Sequence, residues 1–347
     1  MKKVILFITL LGVLILIGFS YSMLTPDSYN SPKIKERKGT QYWNLETGSK
    51  IAYNFIPANG EKKPYPIIFL QGGPGGFISD DDIKDIGQFA KDGYDVYLYD
   101  QIGSGHSARL DDITQYTPIR HKNDLEAIVK QIKAEKVILW GQSWGAMLAT
   151  LYIADNPDKV ERCIFTAPGP ILPINDKITT LKAPDSLNLK DPPYTNREAN
   201  LKANNMRTRL ISWFAITQGK KLANDSEADD FQTYLNNELN KATVTDTTKA
   251  HKAEGGGGFY AQVMTVHAFN TTPNPRQKLK NSPIPVLIVK PQYDNLKWGY
   301  LTEYLTLFPN HKLVIIPNAG HSIESEQVDF LVKNVSSFLN DNYKGLN

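Results

Sequence analysis

Residues 136–154 read KVILWGQSWGAMLATLYIA, and this stretch decides the fold. Its first part, Lys136–Trp140, is a short apolar run of the kind that forms a buried strand. From Ala146 onward the stretch is apolar over the length of a helix. Between them, residues 141–145 have the pattern Gly-x-Ser-x-Gly. Because such glycines let a strand turn sharply into a helix, the pattern predicts that the Ser143 hydroxyl projects above the sheet as a nucleophile.

Short apolar runs alternate with helical spacing on both sides of this stretch. Further strands are predicted at residues 41–45, 50–56, 66–70, 95–99, 159–165, 283–289 and 312–316. Helices are predicted at residues 81–91, 118–133, 146–154, 298–308 and 324–339. Buried strands that alternate with helices indicate a mostly parallel central sheet flanked by helices on both faces. The predicted fold class is therefore α/β, with residues 39–167 and 283–347 forming the core.

The alternation is interrupted by a long insertion. Residues 168–282 are rich in Asn, Lys, Asp and Thr, and they have helical spacing at Arg207–Ile216 and Asp229–Leu239. We interpret this block as a mainly helical cap domain inserted into the core. Its four consecutive glycines, Gly255–Gly258, are interpreted as a flexible segment or hinge.

A serine hydroxyl is a weak nucleophile at neutral pH and needs a base. His321 follows the last predicted strand and precedes the last helix, which is where the chain order Ser, acid, His places the base. Asp294 follows the preceding strand and is the candidate acid that orients the imidazole. Asp100 also ends a strand, but it precedes the serine, so we expect it to brace a loop. The candidate catalytic residues are Ser143, Asp294 and His321.

The oxyanion of a tetrahedral intermediate needs N–H donors. The backbone N–H of Trp144 is one candidate, and that of Gly73, in the glycine-rich turn at residues 71–76, is the other. Glycines in that turn let a peptide N–H approach the substrate without an intervening side chain. Three side chains are candidates for lining the substrate pocket: Gln71, His106 and His267.

Composition and charge narrow the function classes. The formal net charge is +3 and the lysines are scattered, so no nucleic-acid partner is expected. The one cysteine, Cys163, cannot form an internal disulfide, and no Cys/His cluster has zinc spacing. Acyl transfer by a serine needs no cofactor and no metal, and the expected partner is a small molecule or a short peptide.

The N-terminus predicts export. Lys2 and Lys3 precede an unbroken apolar run, Val4–Phe19, which is the pattern of an export signal. Residues 20–22 fit a cleavage site, and the run is close to the roughly 20 residues that span a bilayer. Residues 1–24 are therefore a signal peptide or an N-terminal membrane anchor, and both remain open. The protein is expected outside the cytoplasm, secreted or held to the membrane by that segment alone, with residues 25–38 as a linker.

Together these motifs resemble the prolyl aminopeptidase (proline iminopeptidase) family of α/β-hydrolases. Gln-Gly-Gly-Pro-Gly at residues 71–75 is similar to the family's His-Gly-Gly-Pro-Gly loop. Tyr-Asp-Gln-Ile-Gly-Ser-Gly-His-Ser at residues 99–107 is similar to its Tyr-Asp-Gln-Arg-Gly-Ser-Gly-x-Ser. The nucleophile turn and the segments around Asp294 and His321 also match. The resemblance implies an α/β-hydrolase fold with a helical cap, and an aminopeptidase that releases N-terminal residues from short peptides. With the N-terminal signal, the first hypothesis is an exported aminopeptidase.

The sequence departs from the family where the substrate's amino end is bound. The family uses cap glutamates for this, one of them in a Glu-x-His-Tyr-Phe-like segment, whereas Met264–Phe269 here has no glutamate. Glu227, Glu238 and Glu254 are candidates to replace it. An esterase or amidase acting on small non-peptide substrates is therefore a second hypothesis. A non-catalytic binding protein on the same fold is a third.

Overall fold

The core is built around one eight-stranded sheet, seen in a computed structural model that describes residues 2–340. Its strands are β1 (Gln41–Asn44), β2 (Lys50–Ile56), β3 (Ile67–Leu70), β4 (Val96–Tyr99), β5 (Val137–Gln142), β6 (Val160–Thr166), β7 (Val286–Tyr293) and β8 (His311–Gly320). Their order is β1-β2-β4-β3-β5-β6-β7-β8. β2 pairs antiparallel with β1 and β4, and all other pairs are parallel. The predicted α/β fold class with a mostly parallel sheet is confirmed.

Helices cover both faces of the sheet. The helices are α1 (Lys2–Leu24), α2 (Asp80–Gly87), α3 (Pro118–Ile132), α4 (Trp144–Asp155), α5 (Asn196–Ala203), α6 (Met206–Gln218), α7 (Asp225–Leu239), α8 (Phe259–His267), α9 (Arg276–Leu279), α10 (Trp298–Leu307) and α11 (Glu324–Asn340). α2 and α11 pack on one face, while α3, α4 and α10 pack on the other. Successive residues of β3 alternate between these two apolar clusters, which is the period of a strand buried on both faces.

The segment predicted as a cap, residues 168–282, contains α5 to α9. Two of its helices, α6 and α7, coincide with the predicted helical stretches. The cap contacts the core beside Ser143, where the Phe269 ring stacks on Trp144 with centroids 5.5 Å apart. It also contacts the core through Arg276, which pairs with Glu303 of α10 at 2.7 Å.

The glycine run of the cap is closely packed, in contrast to the predicted hinge. A Cβ added at Gly256 would lie 2.9 Å from Ile34 Cδ1, and one at Gly257 would lie 2.8 Å from Gln232 Cβ. At Gly258 it would lie 2.7 Å from a backbone oxygen of the core. Gly257 also leaves only 2.9 Å between an added Cβ and the Thr233 backbone nitrogen, so the run is glycine where the strap, α7 and a core loop pack closely together.

Residues 25–38, which we call the strap, are docked on the folded domains instead of forming a loose linker. The Asp230 carboxylate on α7 accepts the backbone N–H of Tyr29 at 2.7 Å and that of Ser31 at 2.8 Å. The Tyr29 ring packs against Phe231 and Tyr234 with centroids 5.2 and 5.1 Å away. Sequence composition indicated a linker because the strap is polar, but its backbone donors are taken up by a cap carboxylate.

The strap continues from the cap onto the core through Arg37. Its guanidinium donates to the Asp100 carboxylate at 2.9 Å, to the Ile78 carbonyl at 2.7 Å and to the Asn54 amide oxygen at 2.8 Å. Asp100 also accepts the backbone N–H groups of Ile78 and His106, at 3.0 and 2.8 Å. Asp100 thus braces the two loops that carry Ile78 and His106, the role expected from its place in the sequence.

Within residues 2–340, α1 is the helix that is long and apolar enough to cross a membrane, with Val4–Tyr21 as its span and none of that span buried. The Arg207 guanidinium of α6 donates to the Met23 carbonyl at 2.6 Å. The end of this helix is therefore fixed directly to the cap.

Candidate active site

Ser143 lies at the turn from β5 to α4 with a strained backbone. Its φ is +53° and its ψ is −112°, outside the regions that residues with side chains ordinarily occupy. The turn is held by hydrogen bonds from the Ser143 N–H to Thr166 O at 2.9 Å and from the Gly169 N–H to Ser143 O at 3.2 Å. Strain that the surroundings enforce in this way is a common feature of functional residues.

The two glycines around Ser143 are required by space. A Cβ at Gly141 would lie 2.5 Å from the Ala146 nitrogen, and one at Gly145 would lie 2.6 Å from the Leu70 carbonyl carbon. The turn therefore packs against both α4 and the end of β3. This close approach brings the glycine-rich turn after β3 next to the serine.

His321 and Asp294 are joined by a short hydrogen bond at the ends of β8 and β7. His321 Nδ1 lies 2.7 Å from Asp294 Oδ1, and Lys290 Nζ donates to Asp294 Oδ2, also at 2.7 Å. Burial alone would raise the pKa of Asp294, but the Lys290 ammonium and His321 outweigh it and hold that pKa well below its ordinary value. Asp294 is therefore ionised at neutral pH, with one oxygen left to orient the imidazole.

The turn that carries His321 is held by the cap and by α11. Glu326 accepts the backbone N–H groups of Gly320 at 2.8 Å and of Thr245 at 2.9 Å. The Ser322 N–H donates to the Thr243 carbonyl at 2.9 Å. The position of the histidine thus depends on the cap as well as on the core.

The glycine-rich turn lies directly against the serine. A Cβ added at Gly72 would be 3.5 Å from Ser143 Cβ, and Gly73 has a φ of +126°, where glycine is strongly favoured. Gln101 fixes this turn by accepting the Gly75 N–H at 3.1 Å and donating to the Gly72 carbonyl at 2.8 Å. Gln101 also accepts the Trp144 indole N–H at 3.0 Å, so one side chain ties both oxyanion candidates together.

Ser143 and His321 line a single cavity of about 640 Å³ between core and cap. Its cap wall carries side-chain amides, namely Asn196, Gln232, Asn236, Asn240 and Gln262. Its core wall carries four carboxyl groups, namely Asp81, Asp82, Asp85 and Glu324. One lysine, Lys84, lies on the same wall, so carboxyl groups outnumber it there, and the lining suits a polar substrate with a positively charged end.

Two of the carboxyl groups in the cavity are desolvated. Burial raises the pKa of Asp82 to about 6 and the pKa of Glu324 to about 8. Glu324 accepts a hydrogen bond from the Gln142 amide at 2.6 Å, and Asp82 accepts one from the Gln71 amide at 2.7 Å. Both carboxyl groups therefore contact residues adjoining the nucleophile or the glycine-rich turn.

The three cap glutamates are paired elsewhere. Glu227 is bound by Arg207 at 2.5 Å, Glu238 by Lys241 at 2.9 Å, and Glu254 by Lys35 at 2.5 Å. None of these three is among the residues that line the cavity. Within the part of the chain that the structure describes, the negative charge of the cavity comes from the core.

Of the three pocket candidates, the structure places one at the cavity and two away from it. Gln71 lines the cavity. His106 does not, because its loop faces the strap, where its Nε2 lies 3.0 Å from the Lys35 carbonyl oxygen. His267 is exposed at the end of α8 and also lies away from the cavity lining. The prediction that these two histidines line the pocket is therefore corrected.

Sequence reasoning missed Lys290, Gln101 and Glu324. A lysine inside the apolar run of β7 was a detectable signal, because a buried cation needs an anionic partner. Gln101 and Glu324 had no comparable signal, since their partners are distant in the chain. Within residues 2–340, no cluster of three or more His, Cys, Asp or Glu side chains is arranged to hold a metal ion.

The sheet order, the serine turn and the acid–histidine pair define a class of protein. The chain belongs to the α/β-hydrolase fold family, whose family model matches residues 65–326. Its structure is similar to that of a bromoperoxidase from Bacillus anthracis, with a TM-score of 0.57 and 18% sequence identity. The match covers 87% of this chain and 100% of the bromoperoxidase. That similarity shows the fold.

Proteins related to this chain in sequence indicate a narrower family than the structural match does. The chain is 30% identical over 164 residues to a proline iminopeptidase of Lactobacillus helveticus, an alignment that covers 42% of this chain and 54% of that protein. It is 38% identical over 106 residues to a proline iminopeptidase of Lactobacillus delbrueckii subsp. bulgaricus, covering 29% and 35% respectively. The chain thus spans about half or less of the length of these curated relatives. The resemblance to proline iminopeptidases inferred from the motifs is confirmed.

Proposed function

We propose that this chain is a serine hydrolase that acts by acyl transfer, with Ser143 as nucleophile, His321 as base and Asp294 as the acid that orients it. The observation that carries the proposal is the 2.7 Å hydrogen bond between His321 and Asp294 beside the cavity that Ser143 also lines. The bond fixes the imidazole tautomer with its proton on Nδ1, so that Nε2 is free to accept the serine proton.

The reaction proceeds in two halves. Ser143 Oγ attacks the substrate carbonyl while His321 takes its proton, and the backbone N–H groups of Gly73 and Trp144 stabilise the oxyanion. His321 then protonates the leaving amine or alcohol, which departs and leaves an acyl-enzyme. Water attacks that ester with His321 again as base, and the acid product leaves with Ser143 regenerated. Asp294 stabilises the imidazolium formed in both halves.

The proposed substrates are short peptides with a free amino end, from which the enzyme releases the N-terminal residue. Two observations support this choice: the named activity of the sequence relatives, and the acidic core wall of the cavity, which favours an ammonium group. The amides of the cap wall suit the donors and acceptors of a peptide backbone. In this proposal the amino end is attracted by core carboxyl groups such as Asp81 and Asp82, in place of a cap glutamate.

The second candidate is an esterase or amidase for small non-peptide substrates. It is favoured by the cap wall, where none of the described residues that line the cavity is a carboxylate. The two candidates share the same chemistry and differ in whether the substrate needs a charged amine.

Paired substrates separate the two candidates. Proline β-naphthylamide, its N-acetyl derivative and p-nitrophenyl butyrate are assayed with wild type and with Ser143→Ala. An aminopeptidase cleaves the free amine much faster than the acetylated amide, and Ser143→Ala abolishes this activity. Cleavage of the ester alone indicates the second candidate. If wild type cleaves none of them and does not react with a fluorophosphonate probe, the chain is a binding protein and the proposal fails.

We further propose that the enzyme is exported and stays attached to the membrane by α1. The strap begins directly after α1, and the Met23 carbonyl is bound by buried Arg207, which supports retention of the helix. Fractionation followed by N-terminal sequencing tests this. A full-length chain that resists carbonate extraction supports the anchor, and a soluble chain that begins near Met23 indicates a cleaved signal peptide.

A further inference from the structure

Helix α6 has an exposed apolar face. Met206, Trp213 and Ile216 are 57%, 56% and 38% exposed, and Leu210 between them is half-buried. These four residues, the α6 stripe, lie at spacings of three and four along the helix and therefore share one face. A water-facing helix normally carries polar residues there, so an exposed stripe with a tryptophan indicates a contact surface.

The α6 stripe begins where the apolar helix α1 ends. Arg207 follows Met206, and its guanidinium binds both the Met23 carbonyl and the Glu227 carboxylate. The Asp27 backbone N–H donates to the same Glu227 carboxylate at 3.1 Å. Asp27 lies three residues after Leu24, the last residue of α1, and three residues of chain reach at most about 10 Å. Because Asp27 and Arg207 bind the same carboxylate, α6 cannot lie far from the end of α1.

The dimensions place this junction at a membrane surface. α1 has 23 residues, which at 1.5 Å each give a length of about 35 Å, slightly more than the roughly 30 Å of a bilayer's hydrocarbon core. With Lys2 and Lys3 on the cytoplasmic side, Met23 emerges at the outer surface. Trp213 is seven residues from Met206, so the same arithmetic puts it about 10 Å further along α6.

The charges beside the stripe complement a phospholipid surface. α6 carries no acidic residue, and two exposed cations, Arg209 on the helix and Lys220 two residues after its end, are available to a membrane surface. Arg207 and Lys221 are already paired, with Glu227 and Asp225. Basic residues near a membrane are attracted to anionic headgroups, and tryptophan is enriched at the boundary between headgroups and acyl chains.

We infer that the α6 stripe lies on the outer surface of the bilayer, with Trp213 at the level of the headgroups. The inference rests on the proposed retention of α1 as an anchor. The anchor holds the stripe beside lipid in every molecule, so this contact needs no second encounter and is favoured over pairing with another copy. The cap, and with it one wall of the cavity, is then fixed against the membrane.

Tryptophan quenching by brominated lipid tests the contact in the full-length protein. The chain is reconstituted into phosphatidylcholine–phosphatidylglycerol vesicles with or without bromine on the acyl chains. Trp43, Trp140 and Trp144 are buried, so Trp213 should dominate the quenching. We expect Trp213→Phe to remove more than half of the bromine-sensitive emission. The matched variant Trp298→Phe, which changes a partly buried tryptophan of the core, should leave that quenching unchanged.

The outcomes distinguish this inference from the anchor on which it rests. Equal bromine quenching in wild type and Trp213→Phe overturns the inference, whereas the anchor stands if the chain still resists carbonate extraction. If bromine does not quench the wild-type protein and the protein is a dimer in detergent, the inference is overturned and the α6 stripe is assigned to contact with a second copy. A chain found without α1 overturns both proposals. Unchanged hydrolysis by Trp213→Phe in detergent shows that the variant is folded.

Discussion

Replacing Arg37 by methionine tests how firmly the strap holds the loops around the site. The Arg37 side chain is 5% exposed, and its Asp100 partner is fully buried. In Arg37→Met, the Asp100 carboxylate keeps the backbone donors of Ile78 and His106 but has lost its cation. Removing one partner of a buried ion pair typically costs about 3–5 kcal/mol, because the remaining charge stays desolvated. We expect the free energy of unfolding to fall by about that amount.

Urea titration of the full chain in detergent micelles, followed by tryptophan fluorescence, measures this loss. Arg37→Lys should lose less than Arg37→Met, because lysine keeps the charge but not the planar fork that reaches Asp100, Ile78 and Asn54 together. Lys35→Met is the matched control on the same strap. Lys35 is 75% exposed in its pair with Glu254, so its midpoint should not change measurably.

The expected order of stabilities is therefore wild type and Lys35→Met together, then Arg37→Lys, then Arg37→Met. If Arg37→Met unfolds at the wild-type urea concentration, the buried pair does not stabilise the fold and the reasoning is refuted. The same conclusion follows if Lys35→Met loses as much stability as Arg37→Met.

Three further changes address the site itself. Asp294→Asn should lower kcat by about 10⁴-fold, because the amide favours the wrong imidazole tautomer, and steady-state kinetics that stay within tenfold of wild type would contradict the assigned role. Gly145→Ala should abolish folding, since its Cβ would overlap the Leu70 carbonyl, while Gly72→Ala, with 3.5 Å to its nearest neighbours, should fold; circular dichroism of the two variants distinguishes them. Glu324 holds a proton in the folded state up to a pKa of about 8, whereas the unfolded chain releases it near its ordinary 4.5, so wild-type stability should fall as pH rises between these values. Glu324→Gln should remove most of that fall, which is on the order of 4 kcal/mol, and identical pH profiles in urea titrations would count against it.

The core could be predicted from sequence because local signals agree there with the global fold. The strand expected at residues 136–140 is β5, which spans Val137–Gln142, and the last predicted helix, at residues 324–339, is α11. The chain order Ser, acid, His placed the candidate acid after one predicted strand and the candidate base after the next. Asp294 and His321 are in fact hydrogen-bonded across β7 and β8.

Other features could not be predicted because they depend on contacts between distant residues. The strap is polar and rich in turn-forming residues, and contacts with distant residues, such as the Asp230 carboxylate about 200 positions later, make it an ordered segment. The glycine run suggested mobility from composition alone, whereas the approach of Ile34 and Gln232 explains it. The acidic wall of the cavity was missed for the same reason, since Asp82 and Glu324 come from opposite ends of the core.

The docking of the strap also bears on the order in which the chain folds. In the export proposed above, the strap crosses the membrane before the cap, yet Asp27 and Tyr29 find their partners, Glu227 and Asp230, only when about 200 further residues have crossed. Contacts of such high sequence separation form late. The residues that follow α1 are therefore among the last to reach their native positions, and until then the cap and the core lack the contacts that the strap makes with both.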